Sequence, residues 1–303
     1  DAIIYEVSVR DFTISPDSGV TAEKGTYKAF IEKLPYLKEL GVTHLQIMPV
    51  VNFYYTDETN RAYENKGTAS NNNYNWGYDP HNYFTPEGWY SSDPTDPYSR
   101  VSELRELIDA AHSYGLGVLL DVVYNHMATT TFMEDIVPGY YFRTVNGAYT
   151  SGSGCGNDVA TTRAMARRLI IESTKHWVQE YKVDGFRFDL MGIIDVDTMN
   201  LIVEKCLKED PNLMFYGEGW NMPTALDNSI KAILNQTIDF EENIQLIFIN
   251  NNCSDSSLEI CHGYRKEYPE NIVILDGENL SINDAFDHIQ GEYVNFFDIS
   301  DKL

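Results

Sequence analysis

Cysteine is scarce in this chain of 303 residues: Cys155, Cys206, Cys253 and Cys261 are its four. They are scattered, without the paired spacing of a zinc site or the density of a disulfide scaffold, and they leave the redox compartment open. Cations are also few. Against 46 Asp and Glu stand only 22 Lys and Arg, a formal net charge of −24, and a surface this acidic is ill suited to phosphate backbones. Nucleic acid is therefore not an expected partner. No apolar run approaches the roughly 18 residues of a membrane span, and Asp1–Tyr5 lack the basic region followed by an apolar stretch of a signal peptide. The chain reads as soluble, cytoplasmic or secreted, with no targeting segment and no membrane partner; it opens abruptly, as though excised from something longer. Proline-rich linkers, low-complexity stretches and internal repeats are absent too, which favours a single domain over 1–303.

What is present suits a large core and an uncharged ligand. Hydrophobic residues make up 43% of the chain, enough to bury one big α/β domain. The 21 Tyr and 4 Trp suit stacking on a sugar ring, although ordinary packing is the better account of any one of them.

Short apolar runs alternate with helical patterns, the signature of βαβ units and a parallel sheet. Strands are expected at 2–7, 44–49, 118–123, 185–190 and 213–217. Helices are expected at 27–40, closed by Gly41, and at 101–114, 160–181 and 198–209. The run Val118–Val123 is apolar except for Asp121, as suits a strand buried on both faces. Five such units in series favour an α/β barrel of the TIM type, (β/α)8, over an open doubly wound sheet. A long loop is expected at about 50–97 and a short insertion at about 127–159. After Trp220 the pattern weakens: 245–249, 272–275 and 293–297 read as strands, with little helical periodicity at 251–257 or 278–287.

In a barrel the chemistry sits where strands end. Three strand ends here carry acids: Asp121-Val122-Val123-Tyr124-Asn125-His126, Gly185-Phe186-Arg187-Phe188-Asp189, and Gly217-Glu218-Gly219-Trp220. Arg187 and Asp189 lie two apart, on one face of a strand, where the guanidinium is expected to hold the carboxylate ionised as a glycosidic nucleophile must be. Glu218, between two glycines and followed by Trp220, is expected in an apolar setting that keeps it protonated, the state of a proton donor. Each acid taken singly is equally a structural ion pair or a hydrogen-bonded strand end. His126 alone reads as a packed histidine; beside Asn125 at a strand end it becomes a candidate binder of a sugar hydroxyl.

At these residues the chain resembles the α-amylase superfamily of glycoside hydrolases, whose DxxxNH, GFRxD and Glu-bearing strand ends occur here in the same order. Within it, Tyr74-Asn75-Trp76-Gly77-Tyr78-Asp79-Pro80 is similar to the YNWGYDP signature of the type I pullulanases, and Ile4–Phe12, Gly152–Asp158 and Asp189–Gly192 agree with it. The resemblance is dense over residues 1 to about 227 and poor beyond. It implies a retaining hydrolase of α-1,6-glucosidic branch points in pullulan, glycogen or starch-derived glucans. Asp189 would be the nucleophile and Glu218 the acid and then the base. Arg187 would orient Asp189, Tyr78, Asp121, Asn125 and His126 would line the pocket, and Trp76 and Trp220 would offer stacking surface. The implied partner is a branched α-glucan bound by a monomer, with no required cofactor, no metal ligand among these residues, and calcium allowed.

The family's third acid, in a His-Asp-Asn motif, aligns best with Asp301, but Ser300 and Lys302 replace its neighbours; a shifted register would choose Asp298. The passage from 228 to 292 is shorter than the family's. An eighth strand, the C-terminal β-sandwich and N-terminal carbohydrate-binding modules are not seen, so the barrel is expected to be incomplete at its C-terminal end. The alternatives are another α-glucan enzyme of the superfamily and an inactive or truncated glucan-binding homologue.

Overall fold

A computed structural model describes residues 2–61, 73–145, 147–220, 230–231, 233–234, 239–251 and 257–291. They fall into two compact units, Asp1–Glu218 and Gly219–Leu303, each described by itself.

The first unit is built on a sheet of five strands, β1 (Ile4–Val7), β2 (His44–Ile47), β5 (Gly117–Val122), β8 (Gly185–Phe188) and β9 (Met214–Gly217). Their order in the sheet is their order in the chain, and every pair is parallel. A doubly wound sheet reverses its strand order at a switch point; this one never does. Stepping always in one direction is how a TIM-type barrel winds, and the fold is a partial barrel of that type. β5 and β8 are buried along nearly their whole length, as strands covered on both faces must be.

Gly185 fixes the junction of β8 with β9. A Cβ built there would stand 2.0 Å from the Met214 carbonyl oxygen, so only glycine lets the two backbones pair.

Helices α1 (Tyr27–Ile31), α2 (Leu34–Glu39), α3 (Pro97–Ser113), α5 (Ala164–Tyr181) and α6 (Val196–Leu207) run between the strands, and α5 packs on α6. The core joins Phe30, Leu37, Leu45, Leu107, Trp177 and Phe186, all fully buried. Each such side chain contributes about 1.5–3 kcal/mol of transfer free energy.

The single helix expected over 27–40 is two. Pro35, in the first turn of α2, has no N–H to give, and its ring would clash with the carbonyl four residues back, at Ile31, where α1 ends. Helix α3 starts four residues earlier than the apolar pattern suggests, because the Asp96 carboxylate accepts from the Tyr98 N–H at 3.0 Å and Pro97 opens the first turn.

The long loop holds a hairpin of its own, β3 (Val51–Phe53) against β4 (Pro80–Pro86). The buried Glu87 carboxylate ties its ends, accepting from Phe53 N–H (3.0 Å), Trp89 N–H (2.9 Å) and Asn52 Nδ2 (3.0 Å). The insertion carries the short helix α4 (Thr131–Glu134) and a two-residue hairpin, β6 (Thr144–Val145) and β7 (Ala148–Tyr149). The Asn157 side chain both donates to the Met127 carbonyl (2.8 Å) and accepts from its N–H (3.0 Å), pinning the insertion to the segment after β5.

The second unit pairs two further parallel strands, β10 (Leu246–Asn251) and β11 (Ile272–Gly277), through the unexpected helix Ser257–Glu267. It has its own small core, with Ile230 and Cys261 packed among Leu234, Phe248, Ile260 and Ile274. The strand expected at 293–297, and with it Asp298 and Asp301, lies outside the described residues. No helix among those described is long and apolar enough to cross a membrane.

Candidate functional site

Three neighbouring strands deliver their acids to one place. Asp121 sits near the end of β5, Asp189 follows β8 and Glu218 follows β9. Because β5, β8 and β9 pair in register, Arg187 of β8 lies opposite Asp121 on one side and Tyr216 on the other. The guanidinium reaches all three carboxylates. Its Nη1 stands 2.7 Å from Asp121 Oδ1 and 3.2 Å from Asp189 Oδ1, while Nη2 pairs with Glu218 Oε1.

Each carboxylate has further partners. Asp121, fully buried, accepts from the Tyr78 hydroxyl at 3.0 Å and from Gln46 Nε2 at 3.3 Å. Asn125 Nδ2 donates to the Asp189 side chain and to its backbone carbonyl, both at 2.9 Å. Glu218 Oε2 accepts from the Leu190 N–H at 3.1 Å. Leu190 is held at φ 43, a left-handed conformation that costs a branched side chain on the order of 1 kcal/mol. That turn points its N–H at Glu218. His126 is buried beside this group, with Nδ1 2.5 Å from Asn125 Oδ1 and Nε2 2.8 Å from the Tyr78 carbonyl oxygen.

Burial dominates the titration of the site. It pushes Asp121 up to about 7, against the pull of Arg187 and Tyr78. Asp189 is also raised by burial, more than Asn125 and Arg187 lower it. Arg187 does pull toward the ionised form, as its place on the strand implies, but it is one cation shared among three acids and burial acts against it. Burial works against the charge of Arg187 as well, yet the Asp121 carboxylate beside it raises its pKa further. Burial lowers His126 and raises Tyr78.

Glu218 departs from its expected surroundings too. Its partners are a guanidinium and a backbone N–H rather than apolar groups. Trp76 is 56% exposed and donates from its ring nitrogen to the Tyr74 hydroxyl at 2.8 Å. It lines an open hollow of about 480 Å³ with Tyr74, Asn75, Tyr78 and Asp79. Trp220 belongs to the second unit and is 62% exposed. Among the described residues no group of three or more His, Cys, Asp or Glu is arranged to hold a metal ion.

Two neighbours of the site escaped the sequence reading. Gln46 left a trace as the polar residue in the apolar run Leu45-Gln46-Ile47, buried inside β2. Leu190 left none, since nothing in a leucine announces a left-handed backbone.

The chain is similar to known proteins. Residues 7–137 match the alpha amylase catalytic domain family, and residues 214–299 match glycosyl transferase family 2. Pullulanase A of Streptococcus pneumoniae is 46% identical over 235 residues, covering 74% of this chain and 18% of that protein. The pullulanase of Bacillus subtilis is 43% identical over 248 residues, 77% of this chain and 33% of its own. The pullulanase SAP of Group B Streptococcus, solved in complex with maltotetraose, superimposes with a TM-score of 0.69 at 46% identity, over 72% of this chain and 28% of that one. The chain thus spans between about a fifth and a third of the curated relatives it matches.

Proposed function

Because this chain belongs to the α-amylase family, we propose that its first unit serves the retaining hydrolysis of α-1,6-glucosidic branch points in pullulan-like or starch-derived glucans. The observation that carries this is the shared guanidinium: Arg187 holds Asp121, Asp189 and Glu218 around one space at the strand ends. A retaining pair works at a carboxyl separation of about 5–5.5 Å, and two acids on one guanidinium are held close together.

In this reading Asp189 attacks the anomeric carbon as the glycosidic bond to O6 of the branched sugar breaks, forming a β-glucosyl ester. Glu218 delivers a proton to the departing O6. It then removes one from the water that cleaves the ester, so the sugar leaves with its configuration retained and both acids restored. Asp121, Tyr78 and His126 would bind the sugar at the cleavage point, and the exposed Trp76 would stack on a neighbouring ring.

Incubation with pullulan tests the proposal. Release of maltotriose is expected from the chain, and a loss of at least about 10³-fold in turnover from Asp189→Asn, with maltosaccharide binding retained by calorimetry. Binding without release from the unsubstituted chain would reassign it to glucan recognition, and undiminished release by the variant would remove Asp189 from the chemistry.

A specific observation favours a second ancestry after Glu218. The unit Gly219–Leu303 has its own parallel strand pair and its own core, and the match to glycosyl transferase family 2, residues 214–299, covers most of it after starting in β9. We infer that it is a stretch of that family rather than the next units of the barrel. Urea denaturation followed by backbone and side-chain NMR signals should then give two transitions, one for each unit; a single transition shared by all signals would count against it.

A further inference from the structure

Gln46 stands at the centre of a polar layer that crosses the sheet from its first strand to its fifth. It lies opposite Glu6 in the register of β1 with β2. Its Nε2 donates to Glu6 Oε1 at 3.2 Å and to Asp121 Oδ2 at 3.3 Å, and its Oε1 accepts from the Tyr216 hydroxyl of β9 at 2.7 Å. The side chain is buried, at 7% exposure. The chemistry of the neighbours orients the amide: ionised carboxylates accept only, so the nitrogen faces Glu6 and the ionised Asp121, and the oxygen takes the phenol.

From this geometry we infer that Gln46 is a positioning residue for Asp121, orienting its carboxylate, and through it the Tyr78 hydroxyl, toward the sugar-binding space. The inference rests on the proposed function for its purpose, though not for its geometry. Asp121 has two oxygens and three donors. Arg187 takes Oδ1; Tyr78 and Gln46 share Oδ2. With Gln46 removed, only Tyr78 holds Oδ2, and the carboxylate can rotate about its bond to Cβ. Tyr78, which approaches from the Tyr74–Pro80 loop rather than from the sheet, would lose its fixed acceptor. The groups facing this layer are Glu6, Asp121, Arg187, Tyr216 and Tyr78. Gln46, in their midst, joins two carboxylates without adding charge. A lysine would over-neutralise the layer. A glutamate would set a third carboxylate against two others.

The test uses the full chain with isotope-labelled side chains. In the unsubstituted protein the Gln46 side-chain amide signals should move with the titration of the Asp121 carboxyl carbon. Gln46→Leu should raise the proton affinity of Asp121 roughly tenfold, the equivalent of one lost hydrogen bond to the charged form. Gln46→Glu, nearly the same shape, should raise it further by like-charge repulsion. In both variants maltosaccharide affinity should fall about tenfold, while the signals of the α5–α6 core stay in place. Amide signals of Gln46 that ignore the Asp121 titration in the unsubstituted chain would overturn the inference, even if neither variant folds. So would a folded Gln46→Leu variant with an unmoved Asp121. Failure of the debranching proposal is read separately, from the absence of maltotriose release; a chain silent in that assay can still display the Gln46–Asp121 coupling.

Discussion

Asp121 is a carboxylate that burial sets against its own charge. Burial holds its pKa near 7, whereas the unfolded chain releases that proton near the ordinary aspartate value, about 3.9. Between those pH values the folded form binds more protons than the unfolded one, so this group lowers stability progressively as pH rises from about 4 to about 7. Asp121→Asn removes the titration. Its unfolding midpoint relative to the unsubstituted chain should therefore climb over that pH range and level off above it, measured by thermal denaturation; a difference that stays flat with pH would contradict the assignment. That Asp121, Arg187, Asp189 and Glu218 come together was legible, because they stand at strand ends that apolar runs mark out. Their protonation was not. It depends on how many acids share one guanidinium, and that is set by the pairing of β5, β8 and β9, which no local pattern reveals.

At the scale of elements, two positions decide whether the strands and helices around the site form. Gly185→Ala places a methyl group on the Met214 carbonyl oxygen and should separate β8 from β9, lowering the stability of the first unit by about 3 kcal/mol or more. The unfolding transition of the second unit should stay where it was. Asp195 is the N-cap of α6. Its carboxylate accepts from Thr198 N–H at 3.0 Å and pairs with Arg167 at 2.9 Å. Burial alone would raise its pKa, but hydrogen bonds from Thr161 and Thr198, with Arg167, outweigh it and hold the pKa below the ordinary value. The contribution is therefore complete above pH 4 and disappears as pH falls through the lowered value. Asp195→Ala should cost about 2 kcal/mol near pH 7, and progressively less in acid, by urea titration at several pH values. Alternation of apolar runs with helical spacing located β2, β5, β8, β9 and the helices between them. It missed the break at Pro35 and the start at Pro97, where a missing N–H and a capping carboxylate override apolar spacing. It missed β3 and β4 because their pairing joins residues on either side of a long polar loop.

For the whole molecule, the change of character after Trp220 was visible as weakening periodicity, but its cause was not. The second unit has its own strands and its own core, and nothing local marks where it begins, since parallel α/β patterns read alike in both units. One feature of the first unit bears on how the entire acidic molecule behaves in solution. Dissolved ions relax repulsion among exposed carboxylates over about 10 Å, yet they barely reach a guanidinium enclosed with its partners. Raising sodium chloride from about 0.05 to about 0.5 M should thus ease the mutual repulsion of a surface at −24 while leaving the grip of Arg187 on its three acids intact, so that brine changes the crowding of the exterior and not the chemistry within.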